Sequence, residues 1–189
     1  SLESKTTQSV NTVYMNNNKI IGHNTDILGF TNAIKKINYD FSNKIILILG
    51  AGGVVPSLIY ALKKFNASKI IITNRTKQKA IDLKNLFSNF EIINWGNSIN
   101  FDVIINATSI GLNQEDKIDF NFSKVGKNKL FYDVIYNPEE TNFLKMGKSL
   151  GNLIENGKYM FLYQALSAFN LWHSTNINLD ENSIKLLSK

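Results

Sequence analysis

The stretch KIILILGAGG at residues 44–53 decides the fold of this 189-residue chain. Its continuous apolar run is typical of a strand buried on both faces of a parallel sheet. Glycines let the backbone turn tightly and approach a phosphate, and an apolar-periodic helix follows them. We therefore predict a strand, a loop and a helix that bind a nucleotide pyrophosphate through Gly50, Gly52 and Gly53. An ordinary glycine-rich turn is the alternative.

Strands and helices alternate from that stretch towards the C-terminus. The apolar runs predict strands at 44–49, 69–73, 91–95, 101–106, 129–135 and 152–155. Apolar periodicity predicts helices that end near 65, 87 and 150. This alternation is typical of an α/β fold with a doubly wound parallel sheet. We therefore predict a Rossmann-like nucleotide-binding domain over residues 44–156.

The two flanking segments are too short to be separate domains. Residues 1–43 predict two strands, at 10–15 and 19–21, and one helix whose apolar stripe begins at Ile27. Residues 157–189 predict a helix rich in aromatic side chains and a short final helix. We expect the first segment to pack with the C-terminal helix or, alternatively, to belong to a domain whose remainder is absent.

Composition excludes several classes of function. The net charge of +6 reflects scattered lysines rather than one basic stripe, so we do not expect nucleic-acid binding. The chain has no cysteine and two histidines, which argues against disulfides, thiolate catalysis and a His-rich metal site. No apolar run is long enough to cross a membrane, and the polar N-terminus argues against secretion. We expect a cytoplasmic protein.

The end of the second predicted strand selects between NAD and NADP. A carboxylate there would bind the ribose 2′-hydroxyl of NAD, whereas a guanidinium suits the 2′-phosphate of NADP. The strand runs into Asn74, Arg75 and Thr76, with Lys79 one turn later and no carboxylate. Arg75 is the only arginine in the chain. We predict NADP as the cofactor; a solvated surface arginine is the alternative.

Other polar residues stand where loops and helix ends are predicted. Thr25 and Asp26 open the first helix, where they would satisfy free N–H groups or, alternatively, orient a substrate hydroxyl. His23 is expected to be a surface loop residue. The segments 106–109 and 133–141 follow predicted strands and would line a ligand crevice or form plain polar turns. Gln164 is an unusual amide within an apolar helix.

Taken together and in order, these motifs resemble the shikimate dehydrogenase family over nearly the whole chain. The matching motifs are Val10-Asn11-Thr12-Val13, Asn24-Thr25-Asp26 with Gly29, Gly50-Ala51-Gly52-Gly53, Asn74-Arg75-Thr76, Asn106-Ala107-Thr108-Ser109 with Gly111, Asp133-x-x-Tyr136-x-Pro138-x-x-Thr141-x-Phe143-Leu144, and Asn156-Gly157-x-x-Met160 with Gln164. The family reduces 3-dehydroshikimate to shikimate with NADPH in aromatic amino-acid biosynthesis. The resemblance therefore implies an NADP-dependent oxidoreductase.

The resemblance also assigns roles by position. It implies that Asp26 is the carboxylate of a catalytic Lys–Asp pair and that the substrate is held by Asn11, Asp26, Tyr136 and Gln164. It implies that NADP is bound by Gly50, Gly52, Gly53, Asn74, Arg75, Lys79, Thr108, Tyr136, Gly157 and Met160.

One departure from the family concerns the catalytic lysine. In the family that lysine lies further upstream than the ten residues that precede Asn11 here. We therefore expect this chain to correspond to the C-terminal two-thirds of the enzyme, to keep cofactor binding and to have little activity alone. A non-catalytic NADP-binding module and a quinate-using or NAD-dependent sister enzyme are the alternatives. Exposed apolar side chains on residues 1–43, the remnant of the substrate-binding domain, would favour self-association, as in a homodimer.

Overall fold

The computed structural model describes residues 1–97, 99–122 and 125–186. The chain divides into two compact units, Ser1–Tyr39 with Tyr159–Lys189, and Asp40–Lys158. We call them the split unit and the sheet unit. In chain order the elements are α1 (Leu2–Thr7), β1 (Thr12–Asn16), β2 (Lys19–His23), α2 (Asp26–Ile37), β3 (Ile45–Leu49), α3 (Val55–Lys64), β4 (Lys69–Thr73), α4 (Lys77–Leu83), β5 (Glu91–Ile93), β6 (Val103–Asn106), β7 (Leu130–Asp133), α5 (Asn142–Ser149), β8 (Leu153–Glu155), α6 (Lys158–His173) and α7 (Glu181–Leu186).

The sheet unit is built on six parallel strands in the order β5-β4-β3-β6-β7-β8. Numbered from β3, this order is 3-2-1-4-5-6, which is typical of the Rossmann fold. The strand order reverses between β3 and β6, and ligands of such sheets bind at that point. The predicted doubly wound α/β fold is confirmed.

The core of the sheet unit explains why the apolar runs form strands. Residues 46–49 of β3 are completely buried, as expected for a strand covered on both faces. A cluster of buried side chains joins the sheet to α5: Leu47, Leu49, Ile71, Phe101, Ile104, Phe120, Phe131, Phe143 and Leu144. Gly147 of α5 lies directly against the ring of Phe131, where no Cβ would fit.

Most differences from the predicted boundaries occur at element ends. Helix α4 ends at Leu83 rather than at Phe87, because the N–H groups of Lys84 and Asn85 bond three residues back in tighter turns. Strand β5 ends at Ile93 instead of Trp95. The residues that follow Ile93 therefore belong to a loop at the edge of the sheet.

The split unit contains a two-stranded antiparallel sheet and four helices among the described residues. Asn17 and Asn18 both have positive φ, which suits the tight turn between β1 and β2. Helix α1 was not expected from the sequence; it is short, mostly polar and capped by Ser1. Several apolar side chains on or beside the hairpin are exposed: Val10, Val13, Met15 and Ile20. Across the described ranges, no helix is long and apolar enough to cross a membrane.

Candidate functional site

A cleft opens at the switch point of the sheet unit. Gly50 directly follows β3 and has a φ of +114°, and a Cβ at this position would lie 2.7 Å from the carbonyl oxygen of Ala107, which follows β6. Only glycine allows both the backbone angle and this close approach of the two loops. A Cβ at Gly52 or Gly53, in contrast, would meet nothing within 4 Å. The glycine loop therefore leaves room for a ligand beside the start of α3.

The cleft has a volume of about 720 Å³, which is the scale of a cofactor site. Its lining includes six residues of the predicted cofactor set: Gly50, Gly52, Asn74, Arg75, Lys79 and Thr108. Five of these six lie in the loops after β3, β4 and β6, and Lys79 lies in the first turn of α4. The carboxyl ends of the three strands share one edge of the sheet.

The charged side of the cleft is formed at the end of β4. Asn74 donates through Nδ2 to the carbonyl oxygen of Thr76 at 2.8 Å and so shapes the turn that presents Arg75. Within the described ranges, neither Arg75 nor Lys79 forms an ion pair with a carboxylate. Both cations are therefore available to an anionic ligand group.

A buried carboxylate ties together the loops that follow β6 and β7. Asp133 is fully buried; its Oδ1 accepts from Asn106 Nδ2 at 3.1 Å and from the N–H of Ile135 at 3.0 Å. Its Oδ2 accepts from Thr141 Oγ1 at 2.6 Å. Burial raises the pKa of Asp133 to about 6, and these hydrogen bonds limit the rise. Asp133 thus holds both loops and the start of α5.

A second polar cluster lies at the start of α2 in the split unit. Asn11 donates through Nδ2 to Asp26 Oδ1 at 2.8 Å, and its Oδ1 accepts from the N–H of Thr25 at 2.9 Å. Burial raises the pKa of Asp26, and the hydrogen bond from Asn11 partly offsets the rise. The side-chain cap of α2 is Asn24, whose Oδ1 accepts from the N–H of Asp26 at 3.0 Å. Thr25 makes no side-chain cap, so the capping expectation for it is wrong.

Gln164 of α6 completes this second cluster. Its Oε1 accepts from Asn11 Nδ2 at 3.4 Å. A Cβ at Gly29 would lie 2.7 Å from both the Met160 carbonyl oxygen and Gln164 Cβ, so a glycine lets α2 and α6 approach closely here. Because Gln164 Oε1 bonds to Asn11, the N–H groups of the Gln164 amide are the donors left for a ligand. Because Asp26 Oδ1 bonds to Asn11, Asp26 Oδ2 is the acceptor left for a ligand. A donor beside an acceptor suits a hydroxyl group, which uses both.

Three other residues singled out in the sequence have different surroundings. Tyr136 follows β7 and is 45% exposed. Gly157 donates its N–H to the Ile135 carbonyl oxygen at 3.0 Å and has no room for a Cβ beside Val134. The side chain of Met160 is buried within the split unit.

The expectation that His23 is a surface loop residue is wrong. It ends β2, and its Nδ1 lies 3.7 Å from Glu3 Oε2. Burial lowers the pKa of His23, and Glu3 partly offsets this effect. The unexpected helix α1, which carries Glu3, provides the covering that the sequence did not indicate.

Sequence reasoning missed part of the cofactor-sized cleft. Trp95, Lys117 and Asp119 also line it. The sequence pattern predicts Trp95 inside the third strand of the sheet, whereas that strand, β5, ends two residues earlier. Lys117 and Asp119 lie in an irregular segment without periodicity, and no sequence signal links them to the cleft.

A Rossmann sheet with a glycine loop and a cationic strand end on one cleft defines a dinucleotide-binding protein. Residues 32–134 match the profile of the shikimate / quinate 5-dehydrogenase family. The shikimate dehydrogenase (NADP(+)) of Pelagibacter ubique is 56% identical over 185 residues, covering 98% of this chain and 70% of that protein. The chain belongs to the shikimate dehydrogenase family.

Solved structures agree with this assignment. The crystal structure of shikimate dehydrogenase from Aquifex aeolicus has a TM-score of 0.89 at 36% identity, covering 100% of this chain and 70% of that one. The enzyme from Thermus thermophilus in complex with NADP(H) and shikimate has a TM-score of 0.86 at 26% identity, with the same coverage of both chains. This chain thus spans about 70% of the length of these relatives.

Proposed function

We propose that this chain contributes the NADP-binding half and part of the substrate site of an enzyme that reduces 3-dehydroshikimate to shikimate. The observation that carries the proposal is the cleft at the switch point, where Arg75 and Lys79 form no ion pair with a carboxylate of the described residues. The relatives' names support both the cofactor and the substrate.

The cleft suits NADP by its shape and charge. Open space beside Gly52 and Gly53 would accommodate a pyrophosphate near the start of α3, where the helix dipole favours a negative charge. Asn74, Arg75 and Lys79 would hold the 2′-phosphate through charge-assisted hydrogen bonds. Thr108 would contact the nicotinamide half, and we propose the same for Tyr136, Gly157 and Met160. When bound, NADPH supplies the hydride.

The cluster at α2 suits the hydroxyl groups of shikimate. Asp26 Oδ2 would accept a hydrogen bond from a hydroxyl, and the Gln164 amide would donate one. Asn11 fixes the Asp26 carboxylate through the 2.8 Å bond described above. Tyr136 is a further proposed substrate contact.

Reduction also needs a proton at the oxygen that receives the negative charge. A positioned acid contributes about 100- to 10,000-fold to such a step. Over the described ranges, no lysine forms an ion pair with Asp26. Asp26 would orient such an acid, and we propose that these 189 residues alone turn over slowly.

The test is NADPH oxidation with 3-dehydroshikimate, measured for this chain and for a chain extended upstream to the full length of the relatives. We expect kcat/KM of the extended chain to exceed that of the 189 residues at least 100-fold. Comparable values would show that the acid lies within these residues. Asp26→Asn in the extended chain should lower kcat, with Asn178→Ala as the surface control.

A non-catalytic NADP-binding module is the second candidate, favoured because no lysine of the described residues pairs with Asp26. It predicts NADPH binding without turnover even in the extended chain. A quinate-using sister enzyme would instead oxidise quinate with NADP+ at least as fast as shikimate. Self-association and a cytoplasmic location stay predictions.

A further inference from the structure

Asn106 is a buried polar side chain with no direct exposure to the cofactor-sized cleft, yet it contacts the residues that line it. Its Oδ1 accepts from Thr108 Oγ1 at 2.7 Å and from the Thr108 N–H at 3.1 Å. Its Nδ2 donates to the Ile110 carbonyl oxygen at 3.0 Å and to Asp133 Oδ1 at 3.1 Å. Thr108 and Ile110 both line the cleft.

These partners fix which way the Asn106 amide points. A carboxylate and a carbonyl oxygen can only accept, so the side facing Asp133 and Ile110 must be the NH2 group. A backbone N–H can only donate, so the side facing Thr108 must be the oxygen. A flipped amide would place its NH2 group against the Thr108 N–H and its oxygen against the oxygens of Asp133 and Ile110.

The fixed amide in turn decides what the Thr108 hydroxyl can do. Its single proton is donated to Asn106, and one lone pair accepts from the Ile110 N–H at 3.1 Å. One lone pair of the hydroxyl remains, and Thr108 lines the cleft. Thr108 can therefore offer a ligand a hydrogen-bond acceptor but no donor.

We propose that Asn106, oriented by Asp133, is a positioning residue that fixes Thr108 as a hydrogen-bond acceptor for a donor group in the nicotinamide half of the cofactor. This inference rests on the proposed NADP binding. Two groups of that half carry suitable protons, the ribose hydroxyls and the carboxamide N–H2. The adenosine half does not depend on Asn106, because Arg75 follows β4 and Lys79 lies in α4.

Calorimetric titration with three ligands tests the proposal: NADPH, 2′-phospho-ADP-ribose, which lacks nicotinamide, and adenosine 2′,5′-bisphosphate, which lacks the whole nicotinamide half. We expect Asn106→Ala to weaken NADPH binding about three- to tenfold, the size of one net hydrogen bond, and to leave the bisphosphate within about twofold. A loss shared by 2′-phospho-ADP-ribose identifies a ribose hydroxyl as the donor. A loss confined to NADPH identifies the carboxamide. Both results support the proposal.

Three further variants separate positioning from general destabilisation. Thr108→Val should reproduce the loss, and adding Asn106→Ala to it should weaken NADPH no further, because both changes remove one interaction. Thr108→Ser, which keeps the hydroxyl, should restore binding. Asn178→Ala, an exposed residue that does not line the cleft, is the control, with NADPH affinity within about twofold of the parent. If Asn106→Ala does not fold, Thr108→Val against Thr108→Ser gives the same comparison.

Several results would overturn the proposal. They are unchanged NADPH affinity in both Asn106→Ala and Thr108→Val, an equal loss for the bisphosphate, or additive losses in the double variant. Equal affinity of the parent chain for NADPH and the bisphosphate would overturn this inference and leave NADP binding intact. Binding of none of the three ligands would overturn the proposed function as well.

Discussion

The two units hold their polar side chains by different means. In the sheet unit the loops of the cleft leave buried parallel strands, and a fully buried carboxylate, Asp133, joins two of them. In the split unit Asp26 lies beside a two-stranded hairpin with exposed apolar side chains, and Asn11 is its main hydrogen-bond partner. The comparison indicates that the core fixes the proposed cofactor site, whereas a few side-chain hydrogen bonds fix the proposed substrate site.

The largest expected change in the free energy of unfolding comes from packing in the sheet unit. A Cβ at Gly157 would overlap the carbonyl oxygen of Val134, and backbone cannot move as a flexible side chain does. We expect Gly157→Ala to lower the free energy of unfolding by about 3 kcal/mol. Gly52→Ala, whose Cβ meets nothing within 4 Å, is the control and should stay within about 0.5 kcal/mol in denaturant unfolding. Equal stability of the two variants would show that the 134–157 contact is loose.

The pH dependence of stability tests the burial of the sheet unit's edge. Burial raises the pKa of Glu155, on β8, to about 7, and a backbone hydrogen bond limits the rise. The folded chain therefore holds this proton more strongly than the unfolded chain, and the ionised carboxylate costs stability above pH 7. We expect Glu155→Gln to be more stable than the parent by about 1–3 kcal/mol at pH 8, with the gap shrinking towards pH 4.5.

Urea unfolding of the parent and of Glu155→Gln between pH 4.5 and pH 8 measures the difference in stability directly. A gap that does not vary with pH would mean that Glu155 is well solvated.

In the split unit, the hydrogen bond from Asn11 tests how far a single side chain sets the pKa of Asp26. Since that bond lowers the pKa of Asp26 against the effect of burial, Asn11→Ala should raise this pKa further. Carboxyl-carbon NMR titration checks the shift, with Asn178→Ala as a control that should leave Asp26 unchanged. An unchanged Asp26 in Asn11→Ala would mean that other groups set its ionisation.

The smallest expected loss of stability comes from the hydrogen bond between α6 and the β1–β2 hairpin. Trp172 Nε1 donates to the Val13 carbonyl oxygen at 2.9 Å, but the indole is 58% exposed and water can replace the bond. Trp172→Phe should cost about 0.5 kcal/mol in thermal unfolding. A loss above about 2 kcal/mol would show that the hairpin depends on this side chain far more than its exposure implies.

Sequence reasoning succeeded where the physical signal is local and strong. The apolar run of β3 and the glycines after it predicted both the sheet and the cleft, since strand burial and backbone turning depend on adjacent residues. It failed for α1, a short polar helix that covers His23. It also missed Trp95 and Lys117, which reach the cleft only through tertiary packing.

The central claim is that the cleft of the sheet unit selects NADP through the cations at the end of β4. Calorimetric titration of this chain with NADPH and with NADH tests it most directly, alongside Arg75→Ala. Since charge-assisted bonds contribute about 1.5–3 kcal/mol each, we expect NADPH to bind at least tenfold more tightly than NADH. Arg75→Ala should remove most of that preference without weakening NADH. Equal affinities for the two cofactors, or unchanged NADPH affinity in Arg75→Ala, would contradict the account.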